Sequence, residues 1–577
     1  EQDGPGAQIF AKDEADWLDS LLEVLWPRIS IYLEQKVRNE IQPSITAALP
    51  SYLKRSVVFQ EVTLGTVTPD FGPLVVRKND DDGSIELNLG IRMDTNMSIG
   101  LTAMGVYVGV SKFRMSGALT VIYGPPLERP PFFGGMQIFF ADMPDIDLDF
   151  RGVARIADCP GVRGLVRSTI SQAVGDALVL PQRIAVDLNP DDAVDHIDLK
   201  YPDPWAVLRF SLREGSDLVA ADFSLFGQRS SDPYVIMTLG CKTWTSPVIK
   251  QSLNPVWQKQ DGNSPTVDFL VHSSKQHARI EVFDEDFASS DDLIGVATYV
   301  PIHELTEDVS GRKASSVRIP LTLMVRGRES PAGSLRVSAR LLRLSAEQPL
   351  ALFPEPSVAY LHAKLEEVTD LLVDARCPCH PFKVRVSLLG SQGTSKASWA
   401  KATPAASEAL QGMCSRLAAQ DFQTSQIAGI MGITREQVAS LLLQPSIARD
   451  GTLKQAVLEQ KEKRASENPQ FGEVLQMLIS AKSFDEVISS SVELELIDSK
   501  SKVIGALKVK VEDIIAAERS PSSSLPDRFD LGLPGAAQLK ASFKLRWLTE
   551  AEDKPPSIDG KTSGLHRRAS MPAGSWC

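Results

Sequence analysis

Residues 84–94 read SIELNLGIRMD, and their period is two: Ile85, Leu87, Leu89, Ile91 and Met93 alternate with Ser84, Glu86, Asn88, Gly90, Arg92 and Asp94. Successive side chains of a strand point to opposite faces, so the stretch is a long strand with one apolar and one polar face. Val106, Val108 and Val110 repeat the pattern, and Ile146, Leu148 and Phe150 alternate with Asp145, Asp147 and Asp149. On either side the period becomes helical. Residues 13–49 carry Leu18, Leu21, Leu22, Leu25, Ile29, Leu33, Val37 and Ile41 at helical spacing, with a bend expected at Pro27. Residues 159–181 place Val162, Leu165, Val166, Ala173, Val174 and Leu178 on one side of a second helix. A sheet between two helices either buries its apolar face fully or curls around a hollow apolar interior.

The chain has 577 residues, enough for three or four domains, and a net charge of −12. That charge argues against a general nucleic-acid binder, which carries a basic face. Six cysteines (Cys159, Cys241, Cys377, Cys379, Cys414 and Cys577) do not pair by spacing, and no disulfide is expected. No apolar run reaches the length of a membrane-spanning helix. The first residue is Glu1 rather than Met, so an upstream segment, including any anchor, is expected to be missing.

From Ala206 to Leu344 strands and turns alternate, and two loop-like segments, DFSLFGQRSSDPY (222–234) and FDEDFASSDDLIG (283–295), hold Asp222, Asp232, Asp284, Asp286 and Asp292. Carboxylate oxygens in this number suit a hard divalent cation, and two converging acidic loops would repel each other without one. The five aspartates are therefore candidate Ca2+ ligands. Phe223, Phe226 and Phe287 beside them either dip into a membrane surface or pack beneath the loops.

Strand text returns in VAYLHAKLEEVTDLL, HPFKVRVSLLG, VELELIDSKSKVIGALKVKVEDII and AQLKASFKLRWL, interrupted by helix-like sequence expected over residues 398–483. Here His380 stands where a DP-type aspartate would be, and only Asp374 and Asp498 remain. Two carboxylates supply too few oxygens for calcium, so this block is expected to be calcium-independent. Residues 551–577 read as a disordered tail containing Arg567, Arg568 and Ser570, a basic-directed kinase pattern.

Three ordered blocks, ADWLDSLLEVLWPRISIYLEQKVRNEIQPSI, IYGPPLERPPFFGGMQIFFADMPDIDLDF and ADCPGVRGLVRSTISQAVGDALVLPQRIAVDL, resemble the synaptotagmin-like, mitochondrial and lipid-binding protein (SMP) domain over residues 10–200. The resemblance implies an α+β, tubular, BPI-like module that pairs with a second copy and holds glycerophospholipids in an apolar groove. Ile85, Leu87, Leu89, Ile91, Val106, Val108, Val110, Leu119, Val121, Ile146 and Leu148 are its candidate lining. DPY, NPVW and the D-x-D-x5-D run make residues 204–345 similar to an all-β C2 sandwich, in which the five aspartates would hold calcium. Residues 356–550 resemble a degenerate C2 domain carrying the helical insertion.

This order resembles the extended synaptotagmin, tricalbin and plant synaptotagmin family. It implies a protein anchored in the endoplasmic reticulum membrane that meets the plasma membrane through C2 domains binding phosphatidylserine or phosphoinositides. Lipid transfer with tethering is the first expectation, and a calcium-responsive tether without transport is the alternative. No nucleophile elbow, zincin motif or kinase motif set is present, so no enzymatic activity is expected. Lys242 and Lys250, expected on strands of the first sandwich, and Lys500, Lys502, Lys508 and Lys510 in the second block are either lipid-binding patches or solvated edges.

Overall fold

Alternation of the kind seen at 84–94 builds the antiparallel sheets of three successive modules. The computed structural model describes residues 8–10, 16–36, 57–152, 162–189, 194–306, 316–349, 356–401 and 469–550, except 64, 80–81, 97, 104–105, 190–193, 221, 224–228, 287–290, 326, 370, 372–378, 499–500, 520–524 and 534–536. The chain divides into two compact units, Glu1–Leu342 with Glu550–Cys577, and Arg343–Thr549.

The first unit begins with β1 (Gln8–Phe10), α1 (Asp16–Lys36), β2 (Val57–Thr63), β3 (Asp70–Lys78), β4 (Ile85–Thr95), β5 (Ser98–Ala103), β6 (Val106–Pro126), β7 (Phe133–Phe140), β8 (Asp145–Gly152), α2 (Val162–Leu178), β9 (Ile184–Asp187) and α3 (His196–Lys200). β6 is the spine: its early part pairs with β5 and β8, its later part with β4 and β7. Register then brings one apolar face together. Val76, Leu87, Val121 and Ile138 follow one another across β3, β4, β6 and β7, with Leu74, Leu89, Leu119 and Phe140 in the next row. Leu18 and Leu22 of α1 pack on this face. Trp26 of α1, Ile170 of α2, Met93, Phe113 and Leu148 form an adjoining core. α1 runs through Pro27, and the expected extension to residue 49 lies outside the described residues.

The same unit continues into a β-sandwich made of β10 (Ala206–Ser216), β11 (Asp222–Phe223), β12 (Arg229–Ser230), β13 (Pro233–Leu239), β14 (Lys242–Thr245), β15 (Thr266–Val271), β16 (His277–Asp284), β17 (Asp292–Pro301), α4 (Ile302–Thr306), β18 (Val317–Val325) and β19 (Arg328–Ser345). One sheet runs β14-β13-β16-β17 and the other β15-β10-β19-β18. Leu208, Phe210, Leu212, Val235, Met237, Ile280 and Val282 are fully buried between them, each contributing about 1.5–3 kcal/mol through removal from water. Arg209 and Asp268, paired through two bonds of 2.8 Å, form a nearly buried ion pair across β10 and β15. Losing one partner would leave the other uncompensated, at a cost of about 3–5 kcal/mol.

The second unit holds β20 (Ala359–Thr369), β21 (Cys379–Leu388), β22 (Ser391–Thr394), β23 (Ser398–Lys401), β24 (Gln470–Ile479), α5 (Phe484–Ile488), β25 (Ser491–Ile497), β26 (Val503–Lys510), α6 (Val511–Arg519), β27 (Arg528–Asp530) and β28 (Gln538–Glu550). β22-β21-β25-β26 and β24-β20-β28-β27 enclose a core centred on Leu361, Leu365, Val386, Leu494 and Trp547. The expected insertion of 398–483 is too wide. Ser398–Lys401 pairs with β21, and Gln470–Ile479 pairs with β20 along its length. The physical reason is that β20 needs an edge partner, as β10 has in β15; QFGEVLQMLI, which reads as the end of helical text, buries Val474, Met477 and Ile479 in that strand. The remaining helix-like sequence, 402–468, lies outside the described residues, as does the tail 551–577.

Candidate cation, lipid and contact sites

Strand pairing gathers the acidic positions of the first sandwich at one end. Pro233 faces Asp284 across β13 and β16, and Asp284 faces Asp292 across β16 and β17. The Asp232 N–H donates to the Asp284 carboxylate at 2.5 Å, and the Glu285 N–H donates to the Asp232 carbonyl at 3.1 Å. Asp284 is fully buried, whereas Asp292 is exposed. Asp222 pairs by its backbone with Ser230, two residues before Asp232; its side chain, and those of Phe223, Phe226 and Phe287, lie outside the described residues. Among the described residues no group of three or more His, Cys, Asp or Glu side chains converges on one point.

Five residues outside the candidate ligand set, Tyr234, Lys250, Gln251, Glu285 and Asp291, join this end. The Lys250 ammonium donates to Asp232 at 3.0 Å and to Glu285 at 2.5 Å, and the Gln251 N–H donates to Asp232 at 2.7 Å. Lys250 therefore sits in a turn at the acidic end, not on the strand expected for it, because two carboxylates attract it there. Glu285 and then Asp232 raise its pKa to about 12. Asp291 accepts from the Tyr234 hydroxyl at 2.6 Å and from the Asp286 N–H at 3.1 Å; the Tyr234 bond lowers its pKa. Glu285 and Asp291 are visible in the sequence as extra acids inside FDEDF and SSDD, but nothing local marks Lys250 as their partner. An all-oxygen donor set with an ammonium already drawn into it fits a hard divalent cation in both charge and ligand type.

In the second unit the Asp498 carboxylate accepts from the Lys502 N–H at 2.9 Å and so closes the β25–β26 turn. Lys508 pairs with Glu493 at 2.5 Å. Asp374 and the His380 side chain lie outside the described residues.

Of the candidate lining, Ile85, Leu87, Leu89, Ile91, Leu119 and Val121 fall in consecutive register on β4 and β6. Leu89 and Val121 are buried, while Leu87, Ile91 and Leu119, with Met136 and Ile138 of β7, are only half-buried despite being apolar. These side chains form an apolar seam that is only partly covered. Leu148 is buried against Trp26 and Ile170, so it serves the core, and Ile146 packs beside it. The side chains of Val106, Val108 and Val110 lie outside the described residues, although their backbones pair with β5. The outer face of α1 carries a second apolar stripe: Trp17 is 61%, Leu21 47%, Val24 76% and Ile31 57% exposed.

The α+β module and the first sandwich touch through polar groups. Asp142 accepts from the His277 N–H at 2.7 Å and bonds its ring Nδ1 at 2.8 Å; the Tyr299 hydroxyl donates to Asp145 at 3.1 Å; Lys275 pairs with Glu86. The Cys241 N–H donates to the Leu180 carbonyl at 3.1 Å. Gly240, at φ +58°, lets this approach happen, since a Cβ there would stand 2.3 Å from the Leu180 carbonyl oxygen. Asp142 raises the His277 pKa through its hydrogen bond, with burial opposing and Glu304 adding to the increase. A raised folded pKa means the bond's stabilisation is complete below the unfolded value of about 6.5 and disappears as pH rises through the folded pKa. His277→Ala should therefore lower the melting midpoint of the first unit near pH 6, and the difference from the unsubstituted chain should shrink towards pH 8. Equal destabilisation at both values would remove the charged pair from the explanation.

Comparisons place these modules among known domains. Residues 11–189 match the synaptotagmin-like mitochondrial-lipid-binding domain, and residues 206–314 match the C2 domain. Extended synaptotagmin-3 of Xenopus tropicalis is 30% identical over 288 residues, covering 49% of this chain and 31% of the relative. Human Extended synaptotagmin-2 is 31% identical over 293 residues, covering 49% of this chain and 30% of the relative. The match thus spans about a third of these relatives' length. A solved structure of Extended-Synaptotagmin 2, comprising its SMP domain and two C2 domains, aligns with a TM-score of 0.56 at 20% identity, over 93% of this chain and 99% of that one. At that identity it shows the fold, an SMP domain followed by C2 sandwiches.

Proposed function

The chain belongs to the SMP- and C2-domain proteins of the extended synaptotagmin family, and from that premise we propose that it transfers glycerophospholipids between membranes that it also tethers. The observation that carries the proposal is the seam of Leu87, Ile91, Leu119, Met136 and Ile138, apolar yet half-buried on the SMP sheet. Each methylene it removes from water contributes about 0.8 kcal/mol, so two acyl chains can offset much of their extraction from a bilayer. No covalent step is needed; lipid moves down its gradient.

Asp222, Asp232, Asp284, Asp286 and Asp292 would hold Ca2+ at one end of the first C2 domain, with Glu285 and Asp291 beside them. Bound calcium supplies positive charge that anionic headgroups can share. Lys250 would have to yield its place between Asp232 and Glu285. The second C2 sandwich, whose Asp498 closes a turn, would dock without calcium. The exposed α1 stripe would pair SMP domains into a homodimer. Contact sites between endoplasmic reticulum and plasma membrane are the setting this implies; among the described residues no helix is long and apolar enough to cross a membrane.

The alternative, a calcium-dependent tether without transport, has the same docking end but no use for the seam. Fluorescent lipid transfer between donor and acceptor vesicles held at a fixed separation distinguishes the two. Transfer above the protein-free rate is expected. Calcium-driven vesicle clustering with transfer at background would leave only the tether.

A further inference from the structure

We propose that the β18–β19 hairpin of the first C2 domain is an additional membrane-inserting prong, which enters the bilayer interface beside the calcium loops; the inference rests on the docking reading above. Along β18 the burial alternates as a sandwich strand should: Ile319 and Leu321 are buried, Arg318 and Pro320 exposed or nearly so. The alternation then stops. Met324 and Val325 are 66% and 47% exposed although they point to opposite faces, and Gly327, Arg328 and Glu329 on the returning side are exposed as well. A strand exposed on both faces has left the sandwich. Val325 pairs with Arg328 and Met324 with Glu329, so the projection is a closed two-residue hairpin, with Gly327 at φ +76° in its turn.

Register shows which end it projects from. Ser216 faces Ser334, so the first residues of β19, from Arg328 onward, lie beyond the end of β10, on the side from which the first acidic loop departs. Val296 faces Thr322 in antiparallel pairing, so the direction in which β18 runs on from Thr322 to Val325 is the direction in which β17 runs back from Val296 to Leu293 and Asp292. Leu293 is itself 36% exposed. The hairpin tip and the candidate calcium ligands therefore share one end of the domain. Two adjacent exposed apolar side chains next to the turn, with the exposed Arg328 paired to Val325 on the returning strand, suit a bilayer interface, where hydrocarbon and anionic phosphate lie close together.

The test uses the full chain with phosphatidylcholine vesicles containing phosphatidylserine, in calcium and in chelator. Met324→Ser with Val325→Ser should reduce vesicle partitioning in calcium by about tenfold or more, the loss expected when two apolar side chains no longer leave water. Both positions are exposed, so melting should not change. Separately, Val325→Trp should add tryptophan quenching by brominated lipids beyond that of the unsubstituted chain. A Val325→Trp chain that docks without added quenching, or a serine variant that partitions normally, overturns the prong and leaves calcium docking intact. Failure of the unsubstituted chain to bind vesicles under either condition overturns the docking reading and the prong together.

Discussion

Asp284→Asn combined with Asp286→Asn is expected to abolish calcium-dependent binding of the chain to anionic vesicles, or to raise the calcium required by about two orders of magnitude or more, because affinity at such sites follows ligand charge. The pair is chosen for where it stands. Asp284 lies at the end of β16, level with Pro233 on one side and Asp292 on the other, and its carboxylate receives the Asp232 N–H. Asparagine has nearly the same shape and keeps an oxygen to accept that bond, so the loop should hold while the charge is lost. Lys250 should remain on Asp232 and Glu285, and melting should change little. Binding retained at an unchanged calcium requirement would remove the assignment of these aspartates.

The seam and the acidic end differ in how far sequence alone can take them. Period two at residues 84–94 locates β4 and its apolar face, because every second residue of a strand shares a side whatever surrounds it. The same pattern cannot separate Leu87, half-buried on the seam, from Leu89, buried in the core, because that depends on where α1 lies. Ile146 and Leu148 fall into the candidate lining by the same alternation, yet they pack against Trp26 and Ile170. The spacing of Asp284, Asp286 and Asp292 suggests a cation site, but the role of Lys250 is legible only through the turn that brings it to Asp232 and Glu285. Residues 470–479 read as helix in isolation because their strand character depends on β20, more than a hundred positions earlier. The Asp142–His277 bond joins residues 135 positions apart and leaves no local pattern at all.

Leu87→Asp is expected to stop lipid transfer nearly completely while calcium-dependent docking continues. Leu87 is half-buried, with Val76 and Val121 as its strand partners and Ile138 beyond; its side chain packs against the cluster of Leu74, Leu89 and Val121 but stays partly exposed. With the seam empty, water can reach the new carboxylate and the fold should survive. With an acyl chain in place, that carboxylate would lie against hydrocarbon, at a cost of several kcal/mol, enough to reduce occupancy by about two orders of magnitude or more. Leu87→Met, similar in volume and apolar, should transfer lipid at close to the unsubstituted rate and so separates charge from simple disturbance. The acidic end proposed for docking belongs to a different module, so docking should not respond to either change. Transfer undiminished by Leu87→Asp in a folded, docking-competent chain would move the lipid path away from this face; equal loss of transfer and docking would mean that the substitution had unfolded the unit.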